Sequence, residues 1–179
     1  MDRPQSIEKL RSLIKDVKVA MLTTMEEDGS LRSRPMATQT TEFDGTLWFF
    51  TRRDSGKVDE VEREHQVNVS YAHPGHEHYV SVSGTARLVT DQQKMDELWS
   101  PVLKAWFPQG KDDPAVALLK VDVDKAEYWD SPSSTMVKIA GFIKSITTGK
   151  VYKPGTNERL DLQSEKTRDE APARDKTRV

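Results

Sequence analysis

The chain has 179 residues, of which 35% are hydrophobic and 31% are charged, and its formal net charge is −2. Proteins that bind a nucleic-acid duplex need a basic face to neutralise phosphates, so the balanced charge argues against that function. The sequence holds no cysteine, which excludes disulfides, thiolate metal sites and cysteine nucleophiles and leaves any redox chemistry to a bound cofactor.

The distribution of apolar residues predicts one domain and a tail. The N-terminus lacks the apolar stretch of a signal peptide, and no run approaches the roughly 20 apolar residues of a transmembrane helix. We therefore expect a cytoplasmic protein. Apolar residues cluster between Ile7 and Tyr152, and the composition turns polar after Leu162. This predicts a folded domain over 1–162 and a disordered polar tail over 163–179.

An amphipathic helix and a β-hairpin are the first predicted elements. The helix is predicted by apolar residues at helical spacing after Ser6, which is the expected N-cap. The hairpin is predicted by two β-rich runs, 19–25 and 31–40, on either side of an Asp28-Gly29 turn. Pro35 in the second run requires an edge or a bulge there, because proline cannot donate to a ladder.

A third strand and a second helix follow. The strand is predicted over 47–51, and the helix begins at Ser55-Gly56-Lys57. In that helix Val58 and Val61 are expected to face the core. Glu60 is expected to face outward with the other charged residues of the segment.

The middle of the chain predicts a second hairpin. A strand over 67–71 is followed by a turn at His73-Pro74-Gly75-His76 and by a strand over 80–88 whose apolar residues alternate on one face. Asp91 is the expected N-cap of a third helix, which leads to an aromatic loop at Trp106-Phe107.

The last predicted elements are two strands, 117–123 and 126–129, and a helix over 136–146 with Gly149 at its C′ position. The β-branched residues of 136–146 are also compatible with a strand. The pattern as a whole is about six short strands, joined mainly by hairpins, with helices between some of them. It predicts a mainly β fold with flanking helices (α+β), in which a six-stranded antiparallel sheet closes into a barrel.

The first candidate site is the segment Arg32-Ser33-Arg34-Pro35-Met36. Strand alternation places both arginines and Met36 on one face. Two buried, unpaired arginines would be costly, and an anionic ligand would explain them because a guanidinium suits phosphate geometry. A solvated strand face is the simpler explanation of this segment taken alone.

The second candidate site joins Phe50-Thr51 to Ser55-Gly56-Lys57. Free N–H groups at a helix start, a hydroxyl and a cation are the components of an anion site. A plain helix cap explains the serine equally well, and the glycine spacing does not match a Walker A loop.

Aromatic and histidine clusters are weaker candidates. Most tryptophans belong to a core, but the pair Trp106-Phe107 lies in a loop where it could cover a planar ligand or a subunit interface. His73, His76 and His78 have spacing that could serve a metal, although side chains around a Pro-Gly turn are usually only exposed to solvent.

In their order along the chain, these segments resemble the FMN-binding split barrels related to pyridoxamine 5′-phosphate oxidase, and within them the bacterial general stress protein group. The resemblance covers roughly 7–162. It is carried by Val19-Ala20-Met21-Leu22-Thr23-Thr24, Ser33-Arg34-Pro35-Met36, Leu47-Trp48-Phe49-Phe50-Thr51, Ser55-x-Lys57, Val67-Asn68-Val69-Ser70-Tyr71, Ser83-Gly84-Thr85-Ala86 and Glu127-Tyr128-Trp129-Asp130.

The resemblance implies a split β-barrel homodimer with FMN at the subunit interface. The strand from Ser33 through Pro35 to Met36 would run along the flavin, and Arg34 would reach the ribityl phosphate. Because Arg34 and Lys57 would then be ligand-binding rather than core residues, both are expected to be replaceable without loss of the fold. The remaining implied cofactor-binding residues are Phe50, Thr51, Ser55 and Lys57 at the phosphate and ribityl chain, Trp129 from the second subunit, and Trp106 beside the ring.

The resemblance has one departure. The authentic oxidase grips its substrate's phosphate with a His- and Arg-containing segment shortly after the tryptophan, whereas this chain has Asp130-Ser131-Pro132-Ser133-Ser134-Thr135. Pyridoxamine phosphate is therefore not the expected substrate.

Three functions remain open. The first is an FMN-dependent oxidoreductase that exchanges hydride or electrons with a small-molecule donor and acceptor, and the second is a non-catalytic protein that binds or sequesters flavin during stress. The third is a split barrel that binds deazaflavin or haem, with one of the three histidines as a haem ligand.

Overall fold

The computed structural model describes residues 2–39, 41–130 and 156–162. Within these ranges the chain forms three α-helices, one 3₁₀ turn and seven strands. The helices are α1 (Arg3–Ile14), α2 (Gly56–Arg63) and α3 (Gln92–Leu98), with the 3₁₀ turn over Pro101–Ala105; the strands are β1 (Val19–Met25), β2 (Leu31–Ala37), β3 (Thr46–Arg52), β4 (Gln66–His73), β5 (His78–Val89), β6 (Val116–Asp130) and β7 (Thr156–Asp161).

The strands form one antiparallel sheet in the order β2-β1-β4-β5-β6-β3, with β7 also paired to β6. The two ends of this order, β2 and β3, approach each other, which gives the curled sheet of a split barrel and confirms the expected fold class. Pro35 lies on β2 at the edge of the sheet, as its missing N–H requires.

The structure has one strand more than the expected six, and the strand that the sequence analysis did not foresee is β7, which pairs with β6. The segments predicted as two short strands form a single strand of 15 residues. Its first half pairs with β3 and its second half with β7 on the same side. The strand β7 escaped prediction because its sequence, Thr156–Asp161, is polar and only Leu160 is buried.

Two hydrophobic clusters hold the elements together. The larger one fills the barrel and includes Leu10 of α1, Leu22 of β1, Phe49 of β3 and Val82 of β5, all at most 1% exposed. The second lies between β3, β6 and α3. It consists of Phe50, Met95, Leu98, Leu103, Phe107, Val116 and Leu118. Strand β3 therefore packs on both faces, with Phe49 in one cluster and Phe50 in the other.

The helix caps confirm one prediction and correct another. The Asp91 carboxylate accepts a hydrogen bond from the N–H of Lys94, as expected for an N-cap. At the first helix the cap is Asp2, in a reciprocal capping box with Gln5, and Ser6 lies inside the helix and is buried. Pro4 is a signal for this earlier start, because proline suits the first turn of a helix.

Two further predictions fall on residues outside the described ranges: the helix over 136–146 and the tail over 163–179. In the part of the chain that the structure describes, no helix is both long and apolar enough to cross a membrane.

Candidate functional site

Strand β2 presents its predicted site residues on two faces. Ser33 and Pro35 are exposed on the outer face of the sheet, where the Ser33 hydroxyl lies 2.7 Å from that of Thr23. Arg34 and Met36 point inward, and Met36 is buried in the barrel core. Arg32 remains at the surface and pairs with Glu26. Only one of the two arginines therefore enters the interior.

Arg34 is held by a carboxylate that the sequence analysis placed on the wrong side of its helix. Its Nη1 and Nη2 donate to Oε2 and Oε1 of Glu60 at 2.7 and 2.6 Å. Glu60 is 6% exposed rather than facing solvent. The Thr24 hydroxyl completes the arrangement, because it donates to Glu60 Oε2 at 2.6 Å and accepts from Arg34 Nη1 at 2.7 Å. Buried ions are tolerated when paired and hydrogen-bonded in this way.

Lys57 forms a second polar group one helical turn before Glu60. Its ammonium donates to the hydroxyls of Ser55 at 2.6 Å and Thr51 at 3.2 Å. Ser55 is the N-cap residue of α2, but its side chain does not bond the helix N–H groups. The hydroxyl instead turns to Lys57. The structure thus brings together Thr51, Ser55 and Lys57, as the sequence analysis predicted.

These two groups form what we call the cation cluster: Thr24, Arg34, Thr51, Ser55, Lys57 and Glu60. Burial and the nearby Arg34 charge lower the pKa of Lys57, and Glu60 acts in the opposite direction. The Arg34 hydrogen bonds hold the pKa of Glu60 below its ordinary value. Two cations and one carboxylate leave the cluster one net positive charge. Among the described residues, Lys57 contacts hydroxyls and no carboxylate. Such a site favours an anion.

The other predicted site residues lie outside this cluster. The Phe50 side chain packs in the second core against Trp99 and Phe107, so only its main chain could meet a ligand. Trp106 follows the 3₁₀ turn and is 59% exposed. Trp129 is 41% exposed and lies opposite Tyr79 on the outer face of the sheet.

The histidines lie together at the β4–β5 turn. The rings of His73 and His76 stack at 4.3 Å, and His78 Nε2 lies 2.9 Å from an Asp130 carboxylate oxygen. Across the described residues, no group of three or more His, Asp or Glu side chains is arranged to hold a metal ion. Within the described residues, the turn thus holds a stacked pair of histidine rings and a third histidine in contact with the Asp130 carboxylate.

A cavity lies away from the cation cluster, between α1 and β3. Its lining includes Arg11, Phe43, Trp48 and Tyr71, and its volume is about 50 Å³. That space suits water molecules and not a ring system.

Comparison with known proteins identifies the family. The profile described as pyridoxamine 5′-phosphate oxidase like matches residues 5–153. The chain belongs to the pyridoxamine 5′-phosphate oxidase-like family. Within it, the chain is 34% identical to Protein bli-3 of Neurospora crassa over 171 residues, which are 90% of this chain and 80% of that protein.

Solved structures of this family share the fold. A candidate general stress protein 26 from Jannaschia sp. CCS1 is 25% identical and superposes with a TM-score of 0.72 over 88% of this chain and 99% of its own. The general stress FMN/FAD binding protein of Xanthomonas citri is 34% identical, with a TM-score of 0.63 over 73% of this chain and 92% of its own. The family and the general stress group are those that the sequence segments indicated.

Two members of the cation cluster were missed by the sequence analysis as site residues, Thr24 and Glu60. A signal for Glu60 was present, since it lies three residues after Lys57 and beside Val61, on the inward side of α2. An inward arginine on β2 also required a partner. The pairing itself joins residues 26 positions apart, which local patterns do not reveal.

Proposed function

We propose that this chain binds FMN, with the flavin phosphate in the cation cluster, and acts as an FMN-dependent oxidoreductase. The observation that carries the proposal is that Arg34, Lys57 and the hydroxyls of Thr51 and Ser55 belong to one cluster, whose net charge is positive. A phosphate monoester is a dianion that accepts hydrogen bonds from such donors. The name of the Xanthomonas citri relative, which gives FMN/FAD binding, supports the flavin class.

The chemistry of the donors fits this group. Burial and Arg34 disfavour the charged form of Lys57 and lower its pKa. An anion beside the ammonium would stabilise the charged form again. Thr51 is 2% exposed and Ser55 is half-buried, and both hydroxyls can accept from Lys57 while donating to a phosphate oxygen. Neutral ligands would gain little from this arrangement.

The edge position of β2 offers a place for the ring. An edge strand leaves alternate main-chain N–H and C=O groups without a neighbouring strand. We infer that the run from Ser33 to Met36 binds the polar edge of the flavin with those groups. When bound, the flavin supplies hydride or electron transfer, and the protein supplies binding and orientation.

We also propose that the protein is a homodimer whose interface covers the outer face of the sheet. Among the described residues, the large apolar side chains exposed on the outer face of the sheet include Val19, Met21, Tyr79 and Trp129, at 53, 40, 44 and 41%. Contiguous exposed apolar residues of this kind mark interaction surfaces. In a dimer, Trp129 of one subunit would approach the flavin held by its partner.

Light scattering tests the dimer. The expected mass of the flavin-loaded protein is twice 20.3 kDa, and Met21→Glu is expected to shift it to the monomer because a charge on that face resists burial. Val102→Glu is the matched control, since Val102 is also exposed, at 65%, but lies on the 3₁₀ turn. A monomeric wild-type protein at micromolar concentration would contradict the proposal.

A non-catalytic flavin-binding protein is the second candidate function. It is favoured by the run Asp130-Ser131-Pro132-Ser133-Ser134-Thr135, which lacks the His and Arg of the oxidase. Stopped-flow mixing separates the two functions: flavin reduction by NADH or NADPH and reoxidation by an acceptor indicate an oxidoreductase. A flavin that stays oxidised with both donors indicates a binding role.

The cofactor itself is tested by the visible absorption spectrum of the desalted protein. We expect a flavin spectrum at about one cofactor per subunit, because a ligand with a dissociation constant far below the protein concentration is retained. Chromatography of the released cofactor then distinguishes FMN from FAD and riboflavin. A Soret band or a deazaflavin spectrum, or a colourless protein that added FMN does not change, would contradict the proposal.

A further inference from the structure

Glu60 presents a problem for a phosphate site, because it is a carboxylate in direct contact with the arginine proposed to bind the phosphate. Simple Coulomb repulsion makes such a group unfavourable for anion binding. Its contacts are nevertheless specific, with three hydrogen bonds of 2.6–2.7 Å to Arg34 and Thr24. The geometry of those bonds indicates what the carboxylate does.

Arginine has five N–H donors in a fixed planar arrangement. Glu60 takes one N–H from Nη1 and one from Nη2, which form the end of the guanidinium. Thr24 takes the other N–H of Nη1. The two donors left are the Nε–H and the second Nη2–H, which lie parallel along one edge of the guanidinium, in its plane. Among the contacts made by the described residues, neither of them has an acceptor.

That remaining edge is suited to a phosphate. Two parallel N–H groups bind an oxyanion through two oxygens, which is the geometry that makes arginine preferred over lysine at such sites. The side chain of Arg34 is 19% exposed while that of Glu60 is 8% exposed. The arginine is therefore the member of the pair that a ligand can reach.

We propose that Glu60 is a positioning residue: by binding the end of the Arg34 guanidinium, with Thr24 as its support, it directs the Nε–H and Nη2–H edge to the flavin phosphate. This inference rests on the proposed function. The Glu60 carboxylate also offsets the repulsion between the charges of Arg34 and Lys57. The phosphate then meets two cations that are already in place.

The decisive measurement is the affinity for FMN relative to riboflavin, which lacks the phosphate, in Glu60→Gln. Positioning predicts that the FMN dissociation constant rises about tenfold, the loss expected when a charge-assisted hydrogen bond is misaligned. Riboflavin affinity stays unchanged. Pure Coulomb repulsion predicts the opposite sign, since removing a carboxylate would tighten FMN binding. A loss of stability alone would weaken the binding of FMN and of riboflavin to the same extent.

Two further variants complete the test. Glu62→Gln is the control, because it makes the same charge change at an exposed position of the same helix, and it is expected to bind FMN as the wild type does. Thr24→Val keeps the carboxylate but removes its support, and it is expected to weaken FMN binding in the same sense as Glu60→Gln. If Glu60→Gln does not fold, the FMN affinity of Thr24→Val tests the positioning role in its place.

Each outcome has one meaning. A decrease in the affinity for FMN relative to that for riboflavin, in Glu60→Gln or Thr24→Val, supports the inference. A wild type that binds FMN, together with folded variants whose FMN affinity is unchanged or tighter, overturns the positioning role and leaves the proposed function standing. A wild type that does not bind FMN overturns both.

Discussion

Replacing Lys57 with Met is expected to raise the FMN dissociation constant by about ten- to a hundredfold, because a charge-assisted hydrogen bond to phosphate contributes about 1.5–3 kcal/mol. Methionine keeps most of the length of the side chain and removes the ammonium, with its charge and its N–H donors. Lys57 donates to the hydroxyls of Thr51 and Ser55, and its removal leaves no carboxylate of the described residues without an ion-pair partner. The free energy of unfolding is therefore expected to change by less than about 1 kcal/mol.

Fluorescence titration with FMN and riboflavin measures this effect. Arg63→Met is the matched control, because it removes a cation from an exposed position of the same helix, where its partner Glu27 is 3.8 Å away. We expect the control to bind both flavins as the wild type does. Equal affinity of the wild type and Lys57→Met for FMN would remove Lys57 from the phosphate site.

Arg34 cannot be tested by the same simple truncation. The sequence analysis treated Arg34 and Lys57 alike, as residues replaceable without loss of the fold. For Arg34 the structure argues otherwise, because truncation leaves the Glu60 carboxylate, 6% exposed, without its cation. Such an unpaired buried charge costs about 3–5 kcal/mol. A loss of flavin in Arg34→Ala would therefore mix lost binding with lost stability.

Replacing Gly84 with Ala is expected to lower the free energy of unfolding by about 3 kcal/mol or more. A Cβ at this position would lie 2.4 Å from the carbonyl oxygen of Asp122 and 3.0 Å from a Val121 methyl. The obstruction is backbone of the paired strand, so no side chain can rotate to relieve it. Gly84 lies where the β5–β6 register shifts, opposite the extra residue Asp124, and a glycine permits this close approach.

Urea denaturation, monitored by circular dichroism, measures the difference in the free energy of unfolding between Gly84→Ala and the wild type. Gly56→Ala is the control, because its Cβ would meet nothing closer than 3.9 Å, at a Glu60 oxygen. Alanine there begins a helix and is expected to change the free energy of unfolding by at most about 0.5 kcal/mol. A Gly84→Ala protein within about 1 kcal/mol of the wild type would show that β5 and β6 can separate at the bulge.

Local patterns in the sequence were sufficient for much of the fold. The Asp28-Gly29 turn, the alternation along β5 and the edge position required by Pro35 each depend on neighbouring residues, and all three agree with the structure. The ordered segments also indicated the family that the comparisons show. They placed Thr51, Ser55 and Lys57 together, because these residues lie within seven positions of one another.

What only the tertiary structure decided concerns pairs that are distant along the chain. Strand β7 is polar and acquires its conformation by pairing with β6, some 30 residues earlier. Glu60 belongs to a helix rich in charged residues, and the sequence analysis expected it to face solvent with them. It is buried because β1 and β2 bring Thr24 and Arg34 to it, and three hydrogen bonds then offset the cost of removing the carboxylate from water. Amphipathic spacing reports how a residue relates to its own helix, whereas the burial of a charge depends on a partner that another element supplies.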